Sequence, residues 1–203
     1  KHFLIGSMVY KDDQFNYDYL MKKGLIIGGV SSERIQLPYN ERAKISSDLS
    51  DIFFDKVKNI SMMRTAQLVD AIGNQKYYEI MSSFDTTRTF FEEDAMVIQD
   101  SVLGNPYILI AYIENEEIID RSFEEYVEEV DGVDYIQTDY AKTYLMSMEF
   151  HMIDLNKKSL VWIQKIRNEA EQTETRTTRT GCKEGCIDAI FNVIVLGEPA
   201  KIE

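Results

Sequence analysis

The sequence predicts an α/β (α+β) chain, with a mixed sheet that carries a long antiparallel hairpin and is flanked by helices. Three observations carry that prediction. Apolar residues recur at helical spacing between Asn40 and Val102. The run Tyr107–Ile113 is apolar on both alternating faces, as in a central strand covered on both sides. Tyr144–Asp154 then sets one apolar face against one mixed face, meets turn residues and returns through an aliphatic strand. The 203 residues suit a single domain, and a chain of this size buries roughly 70% of its unfolded surface without a metal or disulfide staple.

Residues 1–19 mix aromatic and acidic residues without a sustained period, which predicts an amino-terminal arm containing a short strand. Phe3, Tyr10, Phe15, Tyr17 and Tyr19 are dense there and read as an arm covering the core rather than as an exposed recognition patch. Leu25–Val30 is short and apolar, a buried strand. Ser31–Tyr39 is polar and contains Pro38, hence a loop. From Asn40, Ile45, Leu49, Ile52, Phe53 and Val57 define an amphipathic helix, and Ile60–Met63 reads as a short strand. Thr65–Ile72 is helical with Gly73 ending it. Tyr77, Ile80, Met81 and Phe84 share a face of the next helix. Phe91, Ala95, Ile98 and Val102 mark a third, stopped by Gly104 with Pro106 beyond.

Charge is concentrated rather than spread. The net charge is −13, and Glu114–Asp139 holds eleven acidic residues against one base, Arg121, leaving only −3 for the rest. This acidic insertion (114–139) contains Ser122-Phe123-Glu124-Glu125, which has capping-box spacing, followed by an apolar stripe of Phe123, Tyr126, Val127 and Val130. The expectation is a short helix with an acidic outer face. After it, Tyr144, Met146, Met148, Phe150 and Met152 alternate with Leu145, Ser147, Glu149, His151 and Ile153, the pattern of a half-buried strand. Asp154–Lys158 is turn chemistry, and Ser159–Arg167 returns. Residues 172–186 read as a polar ribbon ending in a cysteine turn. Ile187–Leu196 suits either a helix or a last strand.

Cys182 and Cys186 are the only cysteines, flanked by glycines that give a tight turn its freedom. A local disulfide is the favoured reading, ahead of free thiols and of redox or metal chemistry; His2 and His151 are too far away in sequence to complete a metal site. An oxidised pair argues for an extracytoplasmic compartment.

No reaction is displayed. His151 lies mid-strand with no nucleophile motif near it, and reads as an ordinary surface or part-buried histidine rather than a general base. Gly28-Gly29 lacks the spacing of a phosphate-binding loop. Asp131-Gly132-Val133-Asp134 lacks the alternating ligands of a calcium loop. Asn59-Ile60-Ser61 matches a glycosylation acceptor formally, but Ile60 begins a strand. No catalytic, cofactor or metal residue is assigned. Nucleic acid is a poor partner for so acidic a surface, because counterion release requires clustered Lys and Arg. No run approaches the ~20 apolar residues of a membrane-spanning helix. The chain opens at Lys1, which looks like a mature or engineered boundary.

The helix Ala43–Lys58, the run Ile60-Ser61-Met62-Met63-Arg64-Thr65, the strand Tyr107–Ile113 and the hairpin Met148–Trp162 with its aspartate-bearing turn resemble a group of bacterial envelope proteins. These are the curli-secretion lipoprotein CsgG, the penicillin-binding-protein activator LpoB and the amino-terminal domain of TolB. The resemblance covers about residues 24–113 and 140–196. It implies a TolB amino-terminal-like fold, a location in the periplasm or at the outer membrane, and a lipid anchor upstream of Lys1 as the sole membrane attachment. The group has no shared catalytic residue. The function expected is therefore a non-enzymatic envelope domain that binds another envelope protein, with Glu124, Glu125, Glu128 and Glu129 meeting a basic partner. An oligomeric subunit of a secretion or envelope assembly is the alternative, and a small carboxylate-dependent hydrolase or ligand-binding enzyme is a third.

Overall fold

A computed structural model describes the backbone of residues 2–32, 39–56, 60–102, 104, 106–130, 133–172 and 186. The elements in chain order are β1 (His2–Lys11), α1 (Tyr17–Lys23), β2 (Leu25–Ser31), α2 (Tyr39–Lys56), β3 (Met62–Met63), α3 (Thr65–Ile72), α4 (Asn74–Thr87), α5 (Glu92–Ser101), β4 (Tyr107–Val130), β5 (Val133–Asp154) and β6 (Ser159–Gln172). Six strands form one sheet in the order β1-β6-β5-β4-β2-β3. β2 runs parallel to β3 and β4, and the other neighbours are antiparallel. The mixed α/β class predicted from periodicity is the class observed.

Strand alternation divides two cores. Leu109, Ala111 and Ile113 of β4, with Met146, Met148, Phe150 and Met152 of β5, face one side. There they meet Leu20 of α1, Ile45, Leu49 and Phe53 of α2, and Trp162. Ile108, Ile110 and Tyr112 face the other side, against Leu68 of α3, Tyr77, Ile80, Met81 and Phe84 of α4, and Ala95 and Ile98 of α5. β2 is buried along its whole length, which is why its sequence reads as an unbroken apolar run.

Local chemistry sets the element ends. Asn16 Oδ1 caps α1 by accepting from Asp18 N–H at 2.8 Å. Gly73 separates α3 from α4 at a φ of 85°, a conformation that costs glycine nothing. In the hairpin turn Asp154 Oδ1 accepts from the N–H groups of Asn156 (2.9 Å) and Lys157 (3.1 Å), the Asx arrangement that turn residues favour.

Two expectations are corrected. The amino-terminal arm is a ten-residue strand at the sheet edge, followed by α1. Its register runs against β6 from His2↔Ala170 to Lys11↔Trp162, a pairing across most of the chain that no local period reveals. The acidic segment is not a short helix. β4 continues through it to Val130 and β5 returns from Val133. A capping-box spacing is a weak local preference, and the ladder with β5 overrides it. Of the expected cysteine turn only Gln172, ending β6, and Cys186, fully buried in the first core, are described. Cys182 and the predicted disulfide lie outside the described residues, as do Val57, Asn59 and Ile187–Leu196.

Candidate functional site

β4 is 24 residues long and β5 is 22, and the pairing of β6 with β5 is described as far as Lys142↔Gln172. Beyond that point Arg121–Val130 and Val133–Ala141 pair with each other as a ribbon, on the order of 30 Å at ~3.3 Å per residue, with no third strand among the described residues. Glu124, Glu125, Glu128 and Glu129 all lie on this distal part of β4. The register sets Glu124 opposite Asp139 and Glu129 opposite Asp134, while Glu125 faces Thr138 and Glu128 faces Tyr135 in sequence register. Two of the cross-strand pairs are therefore acid against acid, and like charges directly opposite are destabilising, each by about 0.2–1 kcal/mol.

The root of the ribbon is different, because its acids are spoken for. Glu114 is bonded to Lys165 and accepts from Ser147 Oγ at 3.1 Å. Glu116 accepts from the Tyr144 hydroxyl, and Glu117 from Asn115 Nδ2 at 3.1 Å. Next to this root sits His151, which the sequence reading put at the surface or half-buried; it is 3% exposed. Its ring meets Phe84 edge-on at 5.3 Å, and its Nε2 lies 3.2 Å from Glu149 Oε2. Nδ1 is buried with no partner among the described residues. Arg88, in the left-handed region at φ 52°, caps α4 and lays its guanidinium 4.3 Å above the Tyr112 ring. It also reaches Glu149 at 3.8 Å.

The electrostatics follow from that packing. The His151 hydrogen bond outweighs burial and, with attraction from His151, Arg88 and Lys165, holds the Glu149 carboxyl below its ordinary value. Burial works against the Arg88 charge, but Tyr112, Glu149 and Glu114 overcome it and hold its pKa above the ordinary arginine value. The belt thus fixes the β4–β5 stem to the end of α4. A Glu-x-His pair at strand spacing was the signal for it, visible only once α4 is known to cover that face.

A second polar arrangement surrounds β2. β3 pairs only with Leu25 and Ile26, so β2 outruns its neighbour, and side chains from three helices take the missing strand's place. Thr65 Oγ1 donates to Ile27 O (2.8 Å) and Tyr77 Oη donates to Gly28 O (2.9 Å). Ser46 Oγ accepts from Val30 N–H (3.1 Å), and Arg42 Nη1 donates to Val30 O (3.2 Å). The register with β4 slips between Ile27 and Gly29, the mark of a bulge. Gly29 has φ 121°, and a Cβ there would fall 2.3 Å from Tyr77 Oη. The glycine pair is thus a packing requirement. Asp85 completes the arrangement, accepting from both terminal nitrogens of Arg42, from Ser31 Oγ (2.6 Å) and from Ser32 N–H (3.0 Å). Above it, α2, α3 and α4 enclose a crevice of about 210 Å³.

Fold and site together define a mixed-sheet α/β domain whose β4–β5 hairpin carries a long acidic extension. No protein-family profile matches the chain, and no curated protein matches it in sequence. Among solved structures it is similar to the PelC dodecamer from Paraburkholderia phytofirmans, with a TM-score of 0.42 and 8% identity over 96% of this chain and 97% of that one. It is also similar to the hypothetical protein CT253 from Chlamydia trachomatis, with a TM-score of 0.43 and 13% identity over 86% of this chain and 95% of that one. Likenesses of this degree decide neither function nor assembly.

Proposed function

We propose that this chain is a non-enzymatic cell-envelope domain that docks a basic envelope protein on its acidic ribbon. The observation that carries the reading is the register of the ribbon, which places Glu124 against Asp139 and Glu129 against Asp134. A hairpin selected only for stability would put opposite charges at those positions. A partner bearing Lys or Arg relieves the repulsion on binding, and the local negative field steers its approach. The resemblance to the CsgG, LpoB and TolB amino-terminal group supports a periplasmic or outer-membrane location with lipidation upstream of Lys1. The test is affinity capture from an envelope fraction with the wild-type chain and with Glu124→Gln, Glu125→Gln, Glu128→Gln and Glu129→Gln combined. Loss of one basic protein from the combined variant, and its weakening with added salt, is expected. Equal recovery from both chains refutes the reading.

A second reading, an oligomeric subunit of an envelope assembly, is favoured by β1. Among the described residues only β6 pairs with it, and Met8, Val9 and Tyr10 are exposed. From Phe3 to Tyr10 it has neither the charges nor the proline that usually blunt a sheet edge. Light scattering across concentrations decides the matter: growth in mass supports assembly, and a constant monomer mass removes it.

A further inference from the structure

We propose that β1 joins two copies of this chain, lying antiparallel on β1 of the second copy so that the two sheets become one. The proposal rests on the oligomeric reading above and gives it a surface, a partner and an orientation.

The sheet has two edge strands, β1 and β3. β3 is two residues long, and where β2 outruns it the backbone is already served by Thr65, Tyr77, Ser46 and Arg42. β1 is ten residues long. Alternate residues of such a strand direct their N–H and C=O groups away from the neighbouring strand, and among the described residues only β6 pairs with β1. Ser7–Lys11 are all exposed, with Val9 at 56% and Met8 at 48%. The register against β6 slips at Val9, so His2–Met8 is the regular run on which a further strand can pair.

Charge selects the occupant. The chain carries −13, yet His2–Lys11 holds no acidic residue. Pairing through the acidic segment of β4 and β5 would set acid against acid. Along β1 a second copy brings the same run reversed, and Phe3–Met8 contains no charge at all. Strand directions then fix the orientation. β4 runs toward the acidic segment, β5 away from it, β6 toward it and β1 away. An antiparallel β1 from the second copy reverses every one of these, which sets the two acidic segments at opposite ends of the joined sheet. A parallel seam would set them side by side, where repulsion is least screened. The antiparallel seam uses the same patch on both copies and closes at two. One strand edge covers less than the ~800 Å² per partner of a standard interface, so the pair is expected to form in the micromolar range rather than below it.

The experiment is light scattering of the full chain across concentrations, with Met8→Lys and Met8→Leu alongside and urea unfolding to establish that each variant is folded. The wild type and Met8→Leu are expected to rise to twice the monomer mass, and Met8→Lys to require about tenfold more protein. The added lysine lowers the negative charge of the chain, so it would strengthen an association limited by general repulsion; weakening is the mark of the seam. Hydrogen exchange of the wild type reads the same surface without a substitution. Amides of His2–Met8 are expected to gain protection as concentration rises, and those of Arg121–Val130 to stay unchanged. A rise in mass that Met8→Lys does not affect, or protection gained in the acidic segment instead of β1, overturns the seam and leaves the oligomeric reading standing. A mass that passes twice the monomer value overturns the closed pair. A constant monomer mass overturns both the seam and that reading.

Discussion

Replacing Asp85 with alanine exposes what the Arg42–Asp85 pair contributes. Asp85 accepts from both terminal nitrogens of Arg42, from Ser31 Oγ and from Ser32 N–H, and the two side chains are 18% and 8% exposed. Its removal leaves a buried guanidinium with one remaining partner, Val30 O. Breaking a buried pair from one side costs about 3–5 kcal/mol. Residual exposure of the carboxylate puts Asp85→Ala near the low end, about 3 kcal/mol. Removing both charges in Arg42→Met/Asp85→Ala takes away the stranded charge as well, so the double variant is expected to be more stable than Asp85→Ala alone. Urea unfolding followed by fluorescence reads this directly. The chain has one tryptophan, Trp162, which is fully buried in the opposite core and therefore reports global unfolding. A cost below about 1 kcal/mol for Asp85→Ala, or strict additivity of the two substitutions, refutes the reasoning.

Other variants probe neighbouring devices. Gly29→Ala forces a Cβ to 2.3 Å from Tyr77 Oη at φ 121°, so a loss of about 3 kcal/mol is expected from strain and the broken Tyr77–Gly28 bond, read by the same urea titration. Glu149→Gln addresses pH dependence. The folded carboxyl is held below its ordinary value, so the unfolded state binds more protons in that window. The stabilisation is complete above the ordinary glutamate range and is lost as pH falls through the depressed folded value. The wild type is expected to lose stability over that interval and Glu149→Gln to lose less; parallel acid limbs contradict the assignment. In the ribbon, Glu124→Lys and Glu129→Lys convert like-charge pairs into opposite-charge pairs. Each is expected to raise protection of ribbon amides by about 0.2–1 kcal/mol in hydrogen exchange, and unchanged protection contradicts the register argument.

The elements that were legible in the sequence are those whose signal is local. Thr65–Ile72 with Gly73, the face of Tyr77, Ile80, Met81 and Phe84, and the apolar run Tyr107–Ile113 all emerged where their periods placed them. Tyr144–Asp154 and its Asx turn did so too, although the strand expected to be half-buried is covered on both faces, with Leu145, Ser147, His151 and Ile153 buried as well. The short strand expected in the amino-terminal arm is a ten-residue β1, and its length and place in the sheet were not legible because its partner, β6, lies more than 150 residues away. The ribbon was misread for a related reason: Ser122 and Glu125 carry a helix-start spacing, while the strand they belong to is dictated by pairing with Asp134–Tyr140.

The site divides the same way. The concentration of acid at Glu114–Asp139 is plain in the composition, and the four glutamates do lie together on one strand. Their arrangement was not, since the capping-box spacing predicts a helix whereas all four are strand residues paired in register with β5. The crevice was invisible. Arg42, Thr65, Tyr77 and Asp85 come from three helices, and each looks ordinary until β2 is seen to outrun β3.

The claim that the acidic ribbon is a docking surface is tested most directly by a photocrosslinking residue placed at Tyr126, between the two glutamate pairs, in cells expressing the full chain. A discrete adduct with a basic envelope protein is expected, diminished by added salt and lost when Glu124, Glu125, Glu128 and Glu129 are neutralised. An adduct that persists on the neutralised ribbon, or one that forms only from positions away from it, contradicts the account.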